Sequence, residues 1–142
     1  MTYSITRKIE FDAGHRVFQH ESKCNNFHGH RYVLEVYARP DDGLDHLGRV
    51  IDFSVLKKVL GGWIDENWDH GFIYNKEDKL TKQFFEQNVS LRSYEMINNP
   101  TAENMAAYLL DYVCPMLFKH FAITVHKIVL WETPNCKAEV EL

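Results

Sequence analysis

Polar and apolar residues alternate cleanly over residues 3 to 11. Tyr3, Ile5, Ile9 and Phe11 fall on one side, and Ser4, Thr6, Lys8 and Glu10 on the other. A period of two marks a half-buried strand. A turn-like stretch over residues 20 to 26 separates it from a second extended run, residues 30 through 39, rich in Tyr, Val and Leu, which Pro40, Asp41, Asp42 and Gly43 close as a turn. Residues 122 to 132 predict a third strong strand, residues 137 to 142 a short fourth, and residues 92 to 97 an additional short strand before Pro100.

Between these runs the period changes to that of a helix. Asp52 caps a predicted helix beginning near Phe53, in which Val55, Leu56, Val59, Leu60, Trp63 and Ile64 recur at helical spacing. The pattern continues through Gly61-Gly62, so the helix is kept intact although each glycine costs roughly 1 kcal/mol. A second helix follows Pro100, with Thr101 as N-cap and Glu103 favouring its positive end. Ala102, Met105, Ala106, Leu109, Leu110, Val113 and Leu117 form its apolar face, and Pro115 should kink or end it.

The order strand, strand, helix, helix, strand, strand predicts an α+β fold built on an antiparallel sheet. A sheet of about four strands with helices on one face leaves its edges and its other face to be covered, which an oligomer would do. The chain of 142 residues suffices for one domain, 1–142, and no repeat or linker divides it.

Composition narrows the function. A formal charge of −4 gives no basic footprint for nucleic acid, so a phosphorylated ligand would be met by local positive groups. No apolar stretch is long enough to span a membrane, and the alternating first residues do not read as a signal peptide. Three cysteines, an odd number set far apart, make a poor disulfide framework and point to a reducing cytosol.

The sharpest local feature is His28-Gly29-His30. On an extended segment, residues two apart share a face, so both imidazoles can converge on one metal, with Gly29 removing bulk between them. His15 can supply a third nitrogen if the two strands pair. Three protein ligands on zinc leave the fourth position open, as in catalytic sites. Cys24 stands beside Lys23, whose charge favours a thiolate. From spacing alone it reads equally as a reactive thiol, as a surface cysteine, or as a fourth ligand closing a structural zinc site in a non-catalytic binding module. Cys114 lies on the apolar face of the second helix and reads as core; Cys136 has no assigned role. Glu132 ends a hydrophobic strand, where a carboxylate is costly to bury unless satisfied.

The chain resembles the 6-pyruvoyltetrahydropterin synthase / 6-carboxytetrahydropterin synthase family. The resemblance rests on Phe11-Asp12-Ala13-Gly14-His15, Lys23-Cys24-Asn25-Asn26-Phe27-His28-Gly29-His30, Val50-Ile51-Asp52-Phe53, Asp69-His70, Pro100-Thr101-Ala102-Glu103-Asn104 and Trp131-Glu132-Thr133. Each block is weak alone; in this order, spanning nearly the whole chain, they are specific. Two features depart from the pattern. Trp68 precedes the Asp-His pair where many members place leucine, with Asn75 slightly farther on, and the segment 76–99 is longer than in compact members.

The resemblance implies a tunnelling fold (T-fold): an antiparallel four-stranded sheet with two helices on one face, with subunits assembling into a barrel, commonly a hexamer. It implies zinc on His15, His28 and His30, with Cys24 as the catalytic thiol. His70 would exchange protons with substrate while Asp69 orients it. Glu132 would anchor the pterin ring, at the other end of the substrate from the metal, and join the proton relay. Thr101 and Glu103 belong to the other pterin-pocket motif, although helix capping explains them nearly as well. His20, His46, His120 and His126 match no motif and read as surface or structural residues. The implied substrate is 7,8-dihydroneopterin triphosphate. Loss of triphosphate and tautomerisation give 6-pyruvoyltetrahydropterin in one branch; in the other acetaldehyde also leaves, giving 6-carboxytetrahydropterin, a queuosine precursor. Three residues separate Cys24 from His28, as in the bacterial-type members, and with the compact chain this likeness favours the carboxy branch.

Overall fold

In the computed structural model, which describes residues 1–142, the first alternation carries well past residue 11. Strand β1 spans Ile5–His15, with Ile9, Phe11, Ala13 and His15 buried along one face. Strand β2, His28–Pro40, runs antiparallel to it from Ile5 opposite Ala38 to His15 opposite His28. Strands β5, Ile123–Thr133, and β6, Cys136–Glu141, continue the antiparallel pairing outward from β2. These four are the expected antiparallel strands.

The sheet nevertheless has six strands, which corrects the expectation of four. Strands β3, Gly71–Asn75, and β4, Ser93–Met96, add to the free side of β1 in the order β4-β3-β1-β2-β5-β6, and both new pairings are parallel. The short strand expected at 92 to 97 is β4, whereas β3 was not foreseen. Parallel neighbours cannot be joined by a tight hairpin and need a crossover, usually helical. The crossover is a further helix that the sequence pattern does not announce, Lys79–Glu86, capped by the Asp78 side chain, which accepts from the Thr81 N–H. The length of the 76–99 segment thus has a structural use: it carries the crossover and the edge strand.

The two long helices fall where their periodicity placed them. The first is a continuous helical run of Phe53–Leu56, a π-type stretch Lys57–Gly61 and Gly62–Asn67, with Asp52 accepting from the Ser54 N–H; it is α1. The crossover helix is α2. Helix α3 comprises Ala102–Tyr108, a π-type stretch Leu109–Val113 and Cys114–Leu117. Pro115 does not end α3 where it stands. It follows the wider π-type turns, which accommodate a residue lacking an N–H and relieve the clash of its ring with the preceding turn.

One core joins the helices to one face of the sheet. Phe11, Tyr32, Leu34 and Ile128 from the strands pack with Leu60, Trp68, Met105 and Leu109 from the helices and the α1–β3 turn. The opposite sheet face is clad by side chains that satisfy one another. Trp131 and Tyr37 both donate to the Glu35 carboxylate, and Lys127 and Lys137 pair with Glu139 while lying over the Tyr37 and Trp131 rings.

Candidate active site

The β1–β2 register builds the histidine cluster. His15 lies opposite His28, and Ala13 opposite His30. Facing residues of an antiparallel pair project to the same side, so all three imidazoles emerge on the core side at the open end of the sheet. Gly29 is needed for a tighter reason than the removal of bulk near a metal. A Cβ there would come within 2.9 Å of the Ala13 carbonyl oxygen of the neighbouring strand.

The three Nε2 atoms converge. His15 Nε2 is 2.9 Å from His28 Nε2 and 3.2 Å from His30 Nε2. His15 Nδ1 donates to the Pro100 carbonyl at 2.7 Å and His28 Nδ1 to the Asn26 carbonyl at 2.8 Å. A carbonyl only accepts, so each Nδ1 carries the hydrogen and each Nε2 presents a lone pair to the common point. The Tyr32 hydroxyl, 3.3 Å from His15 Nδ1, backs the same ring. Burial, partly opposed by the Glu132 charge, lowers the His30 pKa and favours the neutral imidazole.

Glu132 lies at a register shift between β5 and β6, just beyond the Val33–Trp131 pair that ends the β2 ladder. Such shifts re-aim a side chain. Its Oε1 is 3.2 Å from His15 Nε2 and 3.3 Å from His30 Nε2, nearer to the imidazoles than an anchor at the far end of the substrate would be. Electron-rich atoms brought this close repel unless a cation or protons lie among them. Zinc–nitrogen bonds of about 2.0–2.1 Å in a tetrahedron give nitrogen–nitrogen edges of about 3.3 Å, close to those observed. The donor set and its spacing fit a metal ion. The cluster holds the three histidines and no cysteine.

The Asp69–His70 pair is placed by the turn that ends α1. Asp69 Oδ1 accepts from the Asp12 N–H at 3.0 Å, the His70 N–H donates to the Asp12 carbonyl at 2.6 Å, and His70 sits in the left-handed region with φ of 57°. Non-glycine residues seldom adopt that conformation, and here the double tie to β1 holds it. Asp69 Oδ2 is 2.9 Å from His70 Nδ1, and the imidazole is 77% exposed. Burial alone would raise the Asp69 carboxyl. Hydrogen bonds from Asp12 and His70, with the charges of His70 and Arg92, outweigh it and hold the pKa below its ordinary value. A hydrogen acceptor at Nδ1 leaves His70 Nε2 free to exchange a proton.

His28 and His30 of the cluster and His70 of the pair line one cavity of about 700 Å³, together with Arg31, Phe72 and Arg92 among others. A second recess of about 640 Å³ shares His30 and Arg31 and is bounded by Trp131, Glu132 and Thr133. His30 therefore stands between a recess lined by His70 and one lined by Glu132.

Cys24 lies on the short 3-10 turn Lys23–Asn25 between β1 and β2, half-buried and outside the imidazole cluster. Thr101 accepts from the Asn104 N–H as the N-cap of α3, and Glu103 is an exposed residue of its first turn; neither lines the two cavities. The residue of that motif that does reach the cluster is Pro100, through its carbonyl. Asn75 donates to Asn99, a tie between segments. His20 accepts from the Ser22 N–H two residues on, and His126 Nε2 is 2.9 Å from the Ser4 hydroxyl, 122 residues away in sequence. Cys114 is buried and its thiol is pushed up to about 12 by burial, as fits a core residue. The contributions missed from sequence are the Pro100 and Asn26 carbonyls, the Asp12 backbone and Arg92. Backbone groups leave no residue-type signal, and Arg92 reaches the Asp69 carbonyl from 23 residues away.

The profile of a family described as 6-pyruvoyl tetrahydropterin synthase matches residues 4–142. A protein of Rickettsia bellii named 6-carboxy-5,6,7,8-tetrahydropterin synthase is 47% identical over 135 residues, covering 95% of this chain and 97% of its own. One of the same name from Aquifex aeolicus is 33% identical over 160 residues, covering 98% of each chain. Among solved structures, an uncharacterized protein of Wolinella succinogenes superposes with a TM-score of 0.84 at 23% identity, over 99% of this chain and 98% of that one. The 6-pyruvoyl tetrahydropterin synthase of Caenorhabditis elegans gives 0.70 at 24% identity, over 100% and 96%. At these identities the two structures establish a shared fold.

Proposed function

The chain belongs to the 6-pyruvoyl tetrahydropterin synthase family and is a tetrahydropterin synthase, a lyase; from this premise we propose that it converts 7,8-dihydroneopterin triphosphate and water to 6-carboxy-5,6,7,8-tetrahydropterin, triphosphate and acetaldehyde. The observation that carries the reading is the single cavity in which a metal-competent imidazole cluster and a carboxylate-oriented histidine meet. The choice of the carboxy product is supported by the names of the relatives that share a third to a half of their residues with this chain.

His15, His28 and His30 would hold zinc through Nε2. When bound, zinc supplies Lewis acidity to the hydroxylated side chain of the substrate, easing proton loss beside oxygen. Cys24, as thiolate, takes a side-chain proton. His70 exchanges protons at the same site through Nε2, held in place by Asp69. Glu132, which lines the second recess, accepts from the ring N–H and exocyclic amine of the pterin, exchanging its Oε1 contacts with the imidazoles for that donor edge when substrate binds. Thiol and base together in one chain argue for catalysis over a zinc-stabilised binding module.

Two further points complete the proposal. The strands β4 and β6 are unpaired edges in the single chain, which supports a homo-oligomer, a hexamer, in which neighbouring copies cover them. No helix is long and apolar enough to cross a membrane, and the free thiols of Cys24, Cys114 and Cys136 suit a reducing cytosol.

Incubation of the zinc-loaded protein with 7,8-dihydroneopterin triphosphate, with mass analysis of products, tests the reading. Acetaldehyde together with 6-carboxytetrahydropterin is expected. Accumulation of 6-pyruvoyltetrahydropterin without acetaldehyde would assign the other branch, and no turnover would contradict both.

A further inference from the structure

The buried polar residues outside the site are Asp78, 1% exposed, and Thr81, fully buried. Asp78 Oδ1 accepts from the Thr81 N–H and from Arg16 Nη1, each at 3.2 Å, and Oδ2 accepts from the Thr81 hydroxyl at 2.6 Å. Arg16, whose side chain is 13% exposed, also donates through Nη2 to Asn25 Oδ1 at 3.2 Å, while its Nε is buried without a partner. A helix cap does not need a buried arginine, and a buried ion pair is a poor way to gain stability because both charges lose water. The pair calls for a positional explanation.

Its third member supplies one. Asn25 adjoins Cys24 on the turn Lys23–Asn25, which buries no residue of its own and has no side-chain cap. Apart from Arg16, the turn is tied to β1's end by the Val17 N–H, which donates to the Cys24 carbonyl at 2.9 Å. The same 76–99 segment grips the chain again at Asn99. Its side chain accepts from the Phe18 N–H at 3.0 Å and donates to the Phe18 carbonyl at 2.9 Å. The crossover segment therefore holds the arc leading to Cys24 at two points, one through Arg16 and one directly.

We propose that the buried Arg16–Asp78 pair is a positioning device that fixes the Cys24 turn through Asn25, an assignment that rests on Cys24 acting as the thiol of the proposed reaction. The pair sets where the sulfur stands without touching substrate.

Asp78→Asn tests it, since asparagine still caps a helix and α2 can fold. Asn25→Ala is the companion variant, cutting the link at the Cys24 end with the ion pair left intact. In both, kcat should fall by roughly 10- to 100-fold, the range for small misplacement of a reacting group, with KM and zinc content little changed. Iodoacetamide alkylation, read peptide by peptide, should quicken at Cys24. Exposed Cys136 serves as the reagent standard and buried Cys114 as the sensor of global loosening. Parental kcat and parental Cys24 alkylation in both variants would overturn the proposal, as would Cys114 reacting in step with Cys24. If the parent protein does not turn over dihydroneopterin triphosphate, the functional reading falls. The alkylation comparison then still decides the brace: faster Cys24 labelling in the variants supports it, and equal labelling overturns it.

Discussion

His28, His30 and His70 line one cavity, yet the imidazole cluster and the Asp69–His70 pair are held in place by different means. The imidazoles ride on two adjacent antiparallel strands, where register alone brings them to one side and the carbonyls of Pro100 and Asn26 fix the Nδ1 atoms of His15 and His28. Asp69, His70 and Cys24 ride on turns, located by ties from distant segments: the Asp12 backbone, Arg92, and Arg16 with Asn25. On the proposed reading, the metal ligands are thus set on paired strands, and the groups proposed to pass protons are set on braced turns. Changes in the turns should alter turnover and leave the metal in place.

The sharpest separation comes from Cys24→Ala. Zinc content and folding should match the parent while turnover falls by about 10²- to 10⁴-fold, the usual range for a positioned proton-transfer group. Metal analysis with steady-state kinetics checks it, and most activity surviving would remove Cys24 from the chemistry.

Glu132→Gln tests the boundary between the two regions, because Glu132 sits at a strand end against the imidazoles. The amide offers one acceptor where the pterin edge presents two donors. Pterin affinity should fall roughly 30- to 1000-fold, and zinc affinity by about 10- to 100-fold, as for loss of an outer partner of a metal ligand. Calorimetric titration with a pterin and competitive zinc chelation measure the two, and equal pterin affinity would take Glu132 out of the pocket.

Asp69→Asn should lower kcat by about 10- to 100-fold through misorientation of His70. It also has a pH signature. The Asp69 pKa is depressed in the folded protein. Its contribution to stability is therefore full above the ordinary carboxyl value near 3.8 and is lost as pH falls through the folded value. Urea unfolding of parent and variant across pH should show a gap that closes on the acid side; a gap that widens there would contradict the assigned bonds. The smallest effect belongs to Cys114→Ala, in the core. It should cost about 1 kcal/mol of stability, seen as a small shift in thermal midpoint, with turnover unchanged.

The same division explains what could be read from sequence. β1, β2, β5 and β6 announce themselves by alternation, and α1 and α3 by apolar stripes with Asp52 and Thr101 as caps, because period and burial share one cause. His28 and His30 follow from period two, and His15 joins them once the strands pair. β3 and α2 carry little signal because β3 is five residues long and lies directly after the polar Asp69-His70 pair, and its parallel pairing with β4 depends on the α2 crossover between them. The braces escaped for a related reason. Arg16 and Asp78 are 62 residues apart, and nothing in either neighbourhood marks them as partners. The nearness of Glu132 to the imidazoles depends on the register shift at the end of β5, which is a tertiary feature. The family blocks supplied the proposed site residues without saying what holds them.

X-ray absorption on the purified, zinc-loaded protein bears most directly on the claim that strand register builds the metal site while the thiol stands apart. The account predicts a first shell of nitrogen and oxygen only, at about 2.0–2.1 Å, with three imidazoles among the scatterers. A zinc–sulfur distance near 2.3 Å would put Cys24 in the ligand set and contradict it.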